Sequence, residues 1–314
     1  MSYTKTVLIS TTLLVLLSLA TGCQKSNSFV IPDELTSSEY KLILNPVKFS
    51  NIEQGFRQYW VIVKKVADEN AKGSIEFDDP FGTMKHKQVS FYDTPDHDLR
   101  KHGYMLRVKY SFDDAGNLKP GINYSLKYRG KEAAGALAAD LHTGEGFTPK
   151  YDKIELESDI VYYSAANHAE DLTYSVQNEI DLNNPLGTKY GDFVALYPVL
   201  KTFGIDPETP LAPISGLIAD EYLYRPGKID FGSGLFGRID MSVWKVQVGD
   251  SLWLIPEFSY DHPFDADVVI SKEAMKLNRA FLNKLRDAAP DWVVPGKLKA
   301  SYLFEYDAAQ RKLD

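Results

Sequence analysis

The sequence holds a single cysteine, Cys23, in 314 residues, so no disulfide can close within the chain even in an oxidising compartment. It has no block of lysine and arginine, and its net charge is −8. That excludes a chain built for non-specific contact with nucleic acid. No glycine-rich phosphate loop, nucleophile elbow or cysteine–histidine pair is present. The six histidines show no metal-ligand spacing, and His86, His97 and His102 sit in turn-rich sequence that reads as surface. Repeats of solenoid period and low-complexity linkers are also missing.

Aromatic residues are plentiful, with 19 Tyr and 16 Phe, a composition that leans towards strands. One apolar run stands near the start, over residues 7–20, preceded by Lys5 and interrupted only by Ser and Thr. Leu19-Ala20-Thr21-Gly22-Cys23 follows it. This stretch resembles a bacterial lipoprotein signal with its lipobox, with Ala20 where Leu is more frequent. The resemblance implies cleavage before Cys23, lipidation of Cys23 and an exported, membrane-anchored protein. Gln24 points to the periplasmic face of an outer membrane if the cell is Gram-negative. A plain membrane anchor is the alternative, although the run is short for a span and polar QKSNS comes soon after. The expected layout is a signal over 1–22, a polar tether over 23–36, one domain over 37–306 and a tail over 307–314.

Strand candidates in that domain carry charged side chains two residues apart, which places each pair on one strand face. Over 89–129 three short strands follow one another, with Arg107 and Lys109 paired in one and Lys127 and Arg129 in the next. Their opposite faces are Leu106, Val108 and Tyr110, then Tyr124, Leu126 and Tyr128. Glu39 with Lys41, and Glu155 with Glu157, repeat the spacing. Ser50 and Glu53 form a capping-box pattern ahead of a helical stripe of Ile52, Phe56, Trp60, Val63 and Val66. A last helix is expected over 271–289, capped by Ser271 and packed through Ala274, Leu277, Phe281, Leu282 and Leu285. Residues 130–150 read as a loop with one short helical turn. Residues 164–208 read as one or two helices with a short strand at TYSVQNEIDL. Pro256 suggests an edge or a bulge, and KLKASYLFEYD a last strand or a segment packed on the wall.

Two arrangements satisfy the parity. The polar faces of a meander can meet solvent, as in most antiparallel sheets. Alternatively the sheet closes with its charges inward, which needs pairing or a charged ligand to offset desolvation. The fold class expected is α+β, mainly antiparallel β, as a closed or nearly closed barrel with helices outside.

YDTPDHDLRKHGYMLRVKY resembles the signature of the CYTH domain, the triphosphate tunnel metalloenzyme group. The matching residues are Tyr92, Asp93, Thr94, Pro95, Leu99, Gly103, Leu106 and Arg107, with Lys109 in a second arginine position. Tyr124-Ser125-Leu126-Lys127 resembles the family's next strand. Glu39 and Lys41 resemble its first strand, where Ser37 replaces an acid, and Glu155 and Glu157 its central acidic pair. Glu257 resembles a late acid whose companion is here Ser259, and Lys299-Ala300-Ser301-Tyr302 the closing segment.

The resemblance implies a tunnel whose cations hold a triphosphate and whose acids hold Mg²⁺ or Mn²⁺, hard ions that favour carboxylate, water and phosphate oxygens. It makes Lys41, Arg107, Lys109, Lys127 and Arg129 the phosphate-binding residues. Glu39, Glu155, Glu157 and Glu257 become the metal candidates, and Lys41 and Glu157 the catalytic ones. Asp93 is expected to cap its own turn, and Arg225 and Arg238 either complete the basic wall or meet solvent. The expected function is binding, with metal-dependent hydrolysis, of a triphosphate- or polyphosphate-type anion. A non-catalytic anion-binding or envelope protein is the alternative, because Ser37 and Ser259 remove two acids.

Overall fold

The computed structural model describes residues 35–78, 81, 84–151, 154–164, 169–264 and 271–310. The signal segment, Cys23 and the tether up to residue 34 lie outside the described residues. Among the described residues no helix is long and apolar enough to cross a membrane.

Thirteen strands form one sheet. They are β1 (Leu35–Leu44), β2 (Gly73–Glu76), β3 (Lys85–Asp93), β4 (Tyr104–Phe112), β5 (Leu118–Gly130), β6 (Leu156–Ser164) and β7 (Ala169–Leu182). Then come β8 (Ala212–Pro213), β9 (Ala219–Tyr224), β10 (Gly227–Gly232), β11 (Leu235–Val248), β12 (Ser251–Pro263) and β13 (Val293–Val294). Nine of them close into a barrel in the order β12, β1, β6, β7, β5, β4, β3, β9, β11, with β11 rejoining β12. The ring is antiparallel apart from the parallel β1–β6 pair. The helices are α1 (Ile52–Asn70), α2 (Asp98–Lys101), α3 (Ala133–Leu137), α4 (Tyr190–Leu196), α5 (Lys272–Ala288) and α6 (Lys299–Gln310).

Closure follows from the alternation. The apolar parity of β1, β11 and β12 (Leu42, Leu44, Met241, Phe258, Tyr260) packs outward under α1 and α5 with Phe56, Trp60, Val63, Phe281 and Leu285. On the other side, Leu106, Val108, Tyr124, Leu126, Val176 and Ile180 pack under α4 and its flanks with Phe193, Leu196 and Tyr197. Helices thus cover the outer faces, and the charged parity turns inward. A solvated meander is ruled out.

A third apolar group sits inside one end of the barrel. Val89, Phe91, Trp244, Val246 and Ile255 share the inward parity, and Leu303 and Phe304 of α6 close over them. The Phe91 and Phe304 rings lie 5.7 Å apart. Lys299, one turn before Leu303 on the same helix face, reaches from this cap into the lumen. The segment KLKAS therefore opens a helix that caps the barrel, not a further strand.

Other local expectations are corrected. Asn51, not Ser50, caps α1 by accepting from the Gln54 amide at 3.0 Å. Ser271 caps α5 as expected, accepting from Ala274 at 3.1 Å. The 164–208 stretch contains the 14-residue strand β7 in place of the short strand read from its polar sequence. Pro256 does not bulge β12, but it lies at a local edge, as expected. It stands opposite Val243 in unbroken β11 register, one residue before Glu257, and has no partner on the β1 side, where that ladder has ended.

The motif turn before β4 has its own physical logic. Asp93, 4% exposed, accepts from the Thr94, Leu99 and Arg100 amides at 2.8, 3.0 and 3.1 Å, which fixes α2. Burial pushes its carboxyl up against these hydrogen bonds. Gly103 takes φ +82°, and a Cβ there would meet Tyr128 Cε2 at 2.7 Å. Asp93 and Gly103 thus set the start of β4, and with it the parity of Arg107 and Lys109.

Candidate functional site

The sheet register decides which charges meet. Glu39 lies beside Asp159 and Lys41 beside Val161 across β1–β6, while Lys41 faces Ser259 and Ile43 faces Glu257 across β1–β12. On the opposite wall, Met105 faces Lys127, and Arg107, Ser125 and Glu179 form one rung across β4, β5 and β7. Lys41, Arg107, Lys109, Lys127, Arg129, Glu39, Glu157 and Glu257 all line one cavity of about 350 Å³. A second cavity of about 670 Å³ opens at the other end and shares Glu39, Glu157 and Gln177 with the first. Among the described residues the two form a lumen capped by α6 at one end and open at the other.

Three charge groups fill this lumen. The first centres on Asp159, which is fully buried and pairs with Lys41. Arg129 approaches it at 2.8 Å and Lys127 at 3.8 Å, and the Ser175 hydroxyl donates to it at 3.1 Å. Glu157 pairs with Lys127 at 3.0 Å and Glu39 with Lys41 at 2.6 Å. Burial pushes Asp159 up, yet Arg129, Lys127 and Lys41 together hold it well below the usual carboxylate range. Glu157 is lowered in the same way, mainly by Lys127 against burial. Burial lifts Glu39 to about 7, aided by Glu157 and Asp159 and opposed by Lys41. Lys41 is held well above its ordinary value because Asp159 and Glu39 outweigh its own burial.

The second group centres on Glu179, whose side chain is 5% exposed. Its Oε1 takes Arg107 at 3.2 Å and Lys109 at 3.0 Å, and its Oε2 takes Asn123 at 3.2 Å and lies 3.6 Å from Lys150. Burial, followed by Arg107, lowers Lys109 to about 7 despite Glu179. Glu179 itself falls to about 2, because Lys109 and Arg107 overcome its burial. The third group lies at the cap. Lys299 bonds Ser242 and meets Glu257 at 3.1 Å and Glu221 at 3.6 Å. The Trp244 indole donates to Glu221 at 2.8 Å.

The metal candidates separate on geometry. Glu39, Glu157 and Asp159 each place a carboxylate oxygen within 4.8 Å of the others. Glu155 stands just before β6, exposed at the open mouth and outside this group. Glu257 is committed to Lys299. The acidic pair on β6 is thus Glu157 with Asp159, shifted by one strand repeat from the pair read in sequence. Arg225 and Arg238 pair at the mouth with Asp240 and Asp261. His86 is partly covered, stacked between Phe112 and Tyr222 with centroids at 4.4 and 4.8 Å.

Sequence reasoning missed Asp159, Glu179 and Glu221. Asp159 keeps the parity of Glu157, and Glu179 keeps that of Gln177 and Asp181 opposite Val176 and Ile180. Alternation was the available signal for both. The lumen also holds buried donors with no partner among the described residues: Arg107 Nε, Arg129 Nε and Ser125 Oγ. Arg107 and Arg129 line the cavity, where an acceptor-rich ligand would satisfy them, and Ser125 is buried behind them with the same inward parity.

No known protein-family profile and no curated protein matches the chain. Solved structures that resemble it include a candidate adenylyl cyclase from Hippeastrum described as having a dominant triphosphatase activity. It is 13% identical, with 86% of this chain and 96% of that one covered and a TM-score of 0.43. A candidate adenylate cyclase from Bacillus halodurans is 10% identical over 86% and 100% of the two chains, with a TM-score of 0.38. A Pyrococcus horikoshii protein is 10% identical over 86% and 99%, with a TM-score of 0.33. The mainly antiparallel barrel is the architecture that the CYTH resemblance implied.

Proposed function

We propose that the lumen binds a phosphoanhydride of triphosphate type and hydrolyses it with a divalent cation, as the CYTH resemblance implies. The observation that carries this reading is the convergence, inside one barrel, of cations from β1, β4 and β5 with the carboxylate group Glu39, Glu157 and Asp159. Arg107, Arg129 and Ser125 supply the buried donors that still lack acceptors. Arginine forks and lysine ammoniums neutralise phosphoryl oxygens and fix their orientation.

The three grouped carboxylates fit Mg²⁺ or Mn²⁺, hard ions bound through a few carboxylates together with water and phosphate oxygens. Burial, aided by their crowding, lifts Glu39 to about 7, and a cation among them would relieve it. Such an ion supplies charge neutralisation at the phosphoryl oxygens. Lys127 and Arg129 hold the phosphate chain. Lys41, kept charged by Asp159 and Glu39, orients the attacking water, and Glu157, kept ionised by Lys127, accepts a hydrogen bond from that water. Positioning and electrostatics provide most of the catalysis in phosphoryl transfer.

A second reading, a binder without turnover, is favoured by Ser37 and Ser259 at acid positions of the motif and by the internal pairing of the lumen cations. Phosphate release from tripolyphosphate and from ATP, with Mg²⁺ or Mn²⁺, separates the two. Hydrolysis predicts metal-dependent release that Lys127→Ala and Glu157→Gln abolish. Absence of release above the variant background, with anion binding retained, leaves the binder.

The protein is proposed to be exported and held at a membrane through lipid on Cys23, on the strength of the small residues before that cysteine. Radiolabelled palmitate incorporated by the full chain and lost in Cys23→Ala is the expected result. Unchanged labelling would remove the proposal.

A further inference from the structure

The basic wall already carries an anion of its own. Arg107, Ser125 and Glu179 lie directly opposite one another on adjacent strands, a spacing at which inward side chains touch. Glu179 Oε1 takes both Arg107 Nη2 and Lys109 Nζ, the two cations that β4 offers to a ligand. On the same rung Arg107 Nε and Ser125 Oγ are buried without partners, so the carboxylate leaves the rung only half satisfied. Glu179 belongs to neither the grouped carboxylates nor the capping contacts of Lys299. Its other oxygen is held on the mouth side by Asn123 and Lys150, and the Lys150 amide bonds the Glu179 carbonyl at 2.6 Å.

We infer that Glu179 is a resident counter-anion that sets which anions the lumen accepts. This rests on the phosphate-binding reading and deepens it. A ligand that binds Arg107 and Lys109 competes with a buried carboxylate that both already bond. It gains Arg107 Nε and Ser125 Oγ in addition if it brings enough oxygens to reach them. A tripolyphosphate, with several charges and many acceptor oxygens, meets both conditions. Orthophosphate or a carboxylate ligand offers too little charge and too few oxygens to displace Glu179, so the side chain acts as a threshold against small anions. Asn123 and Lys150 hold the displaced side chain near the mouth. Glu179 is therefore a specificity-determining residue that touches the protein cations offered to the ligand and not the ligand's reacting atoms.

The test is calorimetric titration of the full chain with tripolyphosphate and, separately, with orthophosphate, without added metal. Wild type is compared with Glu179→Gln, which keeps the shape and removes the charge, and with Glu179→Asp, which keeps the charge and shortens the reach. Glu53→Gln, an exposed change on α1, controls for net charge. Glu179→Gln is expected to tighten orthophosphate binding by roughly tenfold, as befits release of charge-assisted hydrogen bonds. The preference for tripolyphosphate shrinks accordingly, Glu179→Asp falls between, and Glu53→Gln matches wild type. If wild type and both Glu179 variants bind the two anions with the same ratio, the inference fails and the phosphate-binding reading stands. If wild type binds neither anion but Glu179→Gln binds orthophosphate, the inference stands and the triphosphate reading fails. If no variant binds either anion, both are overturned.

Discussion

The two carboxylates buried deepest in the lumen wall, Asp159 and Glu179, have similar cationic company and different neighbours. Asp159 meets Lys41, Arg129 and Lys127, but Glu39 and Glu157 crowd beside it. Glu179 meets Arg107, Lys109 and Lys150, and Asp181 shares Lys150 and Asn123 with it at 3.7 and 2.7 Å without touching Arg107 or Lys109. In the first half three carboxylates face three cations, and burial, aided by Glu157 and Asp159, lifts Glu39 towards neutrality, which a cation would relieve. Donors are in surplus in the second, where burial followed by Arg107 depresses Lys109 and where Arg107 Nε and Ser125 Oγ stay unsatisfied, which favours an anion. On the proposed function, the grouped carboxylates of the first half hold the metal, while the donors of the second, with Lys127 and Arg129, hold the phosphate chain.

The largest effect expected from breaking this division is at Asp159. Asp159→Ala leaves Arg129 without its carboxylate in a buried site, while Lys41 and Lys127 keep Glu39 and Glu157, and an uncompensated buried charge costs roughly 3–5 kcal/mol. Urea denaturation should show that loss, with Asp159→Asn in between. A loss within experimental scatter would mean the wall does not depend on this pairing.

Next comes the phosphate side. Arg107→Ala is expected to weaken tripolyphosphate binding by about 1.5–3 kcal/mol, the range for hydrogen bonds to charged groups, and to leave Mn²⁺ binding unchanged. A parallel loss of Mn²⁺ affinity would merge the two halves into one site.

The division should also show in pH. Lys109 loses its proton near 7 in the folded chain, and a bound polyanion favours the charged form. Tripolyphosphate affinity should therefore fall as pH rises through about 7, with proton uptake on binding. Uptake that persists unchanged in Lys109→Met would assign the proton elsewhere. Glu179 behaves oppositely. Its folded value of about 2 lies below the ordinary 4.5, so its contribution to stability is present above about 4.5 and is lost as pH falls through about 2. Denaturation midpoints measured over that window should drop more in wild type than in Glu179→Gln.

How much of this was readable beforehand follows from where the signal lies. Alternation in YMLRVKY and YSLKYRG gave the strands, and the charged parity of four strand candidates left a closed barrel as one of two arrangements. The choice between them needed the apolar faces of α1, α4 and α5, whose partners lie far away in sequence. On β6, the pair at Glu155 and Glu157 was read one repeat early because Glu155 precedes the first paired residue, Leu156. Strand pairing, not composition, sets that start. β7 looked short because its inward face (Ser175, Gln177, Glu179, Asp181) is polar throughout, and one outward position, Asn178, is satisfied by the Leu141 carbonyl at 2.8 Å. The capping role of α6 was hidden for another reason: Leu303 and Phe304 find their partners only once the barrel has closed.

The smallest expected effect checks the corrected acidic pair. Glu155→Gln at the open mouth should change stability by no more than about 0.5 kcal/mol, as for surface substitutions, and leave Mn²⁺ binding unaltered. A drop in Mn²⁺ affinity would return Glu155 to the metal side.

The central claim, a cation held by Glu39, Glu157 and Asp159 beside a separate phosphate wall, is tested most directly by following Mn²⁺ binding through its paramagnetic resonance signal, with and without tripolyphosphate. The expected result is one saturable Mn²⁺ per chain, lost in Glu157→Gln, retained in Arg107→Ala and tightened by tripolyphosphate in wild type. Mn²⁺ binding that survives Glu157→Gln, or that tripolyphosphate leaves unchanged, would contradict it.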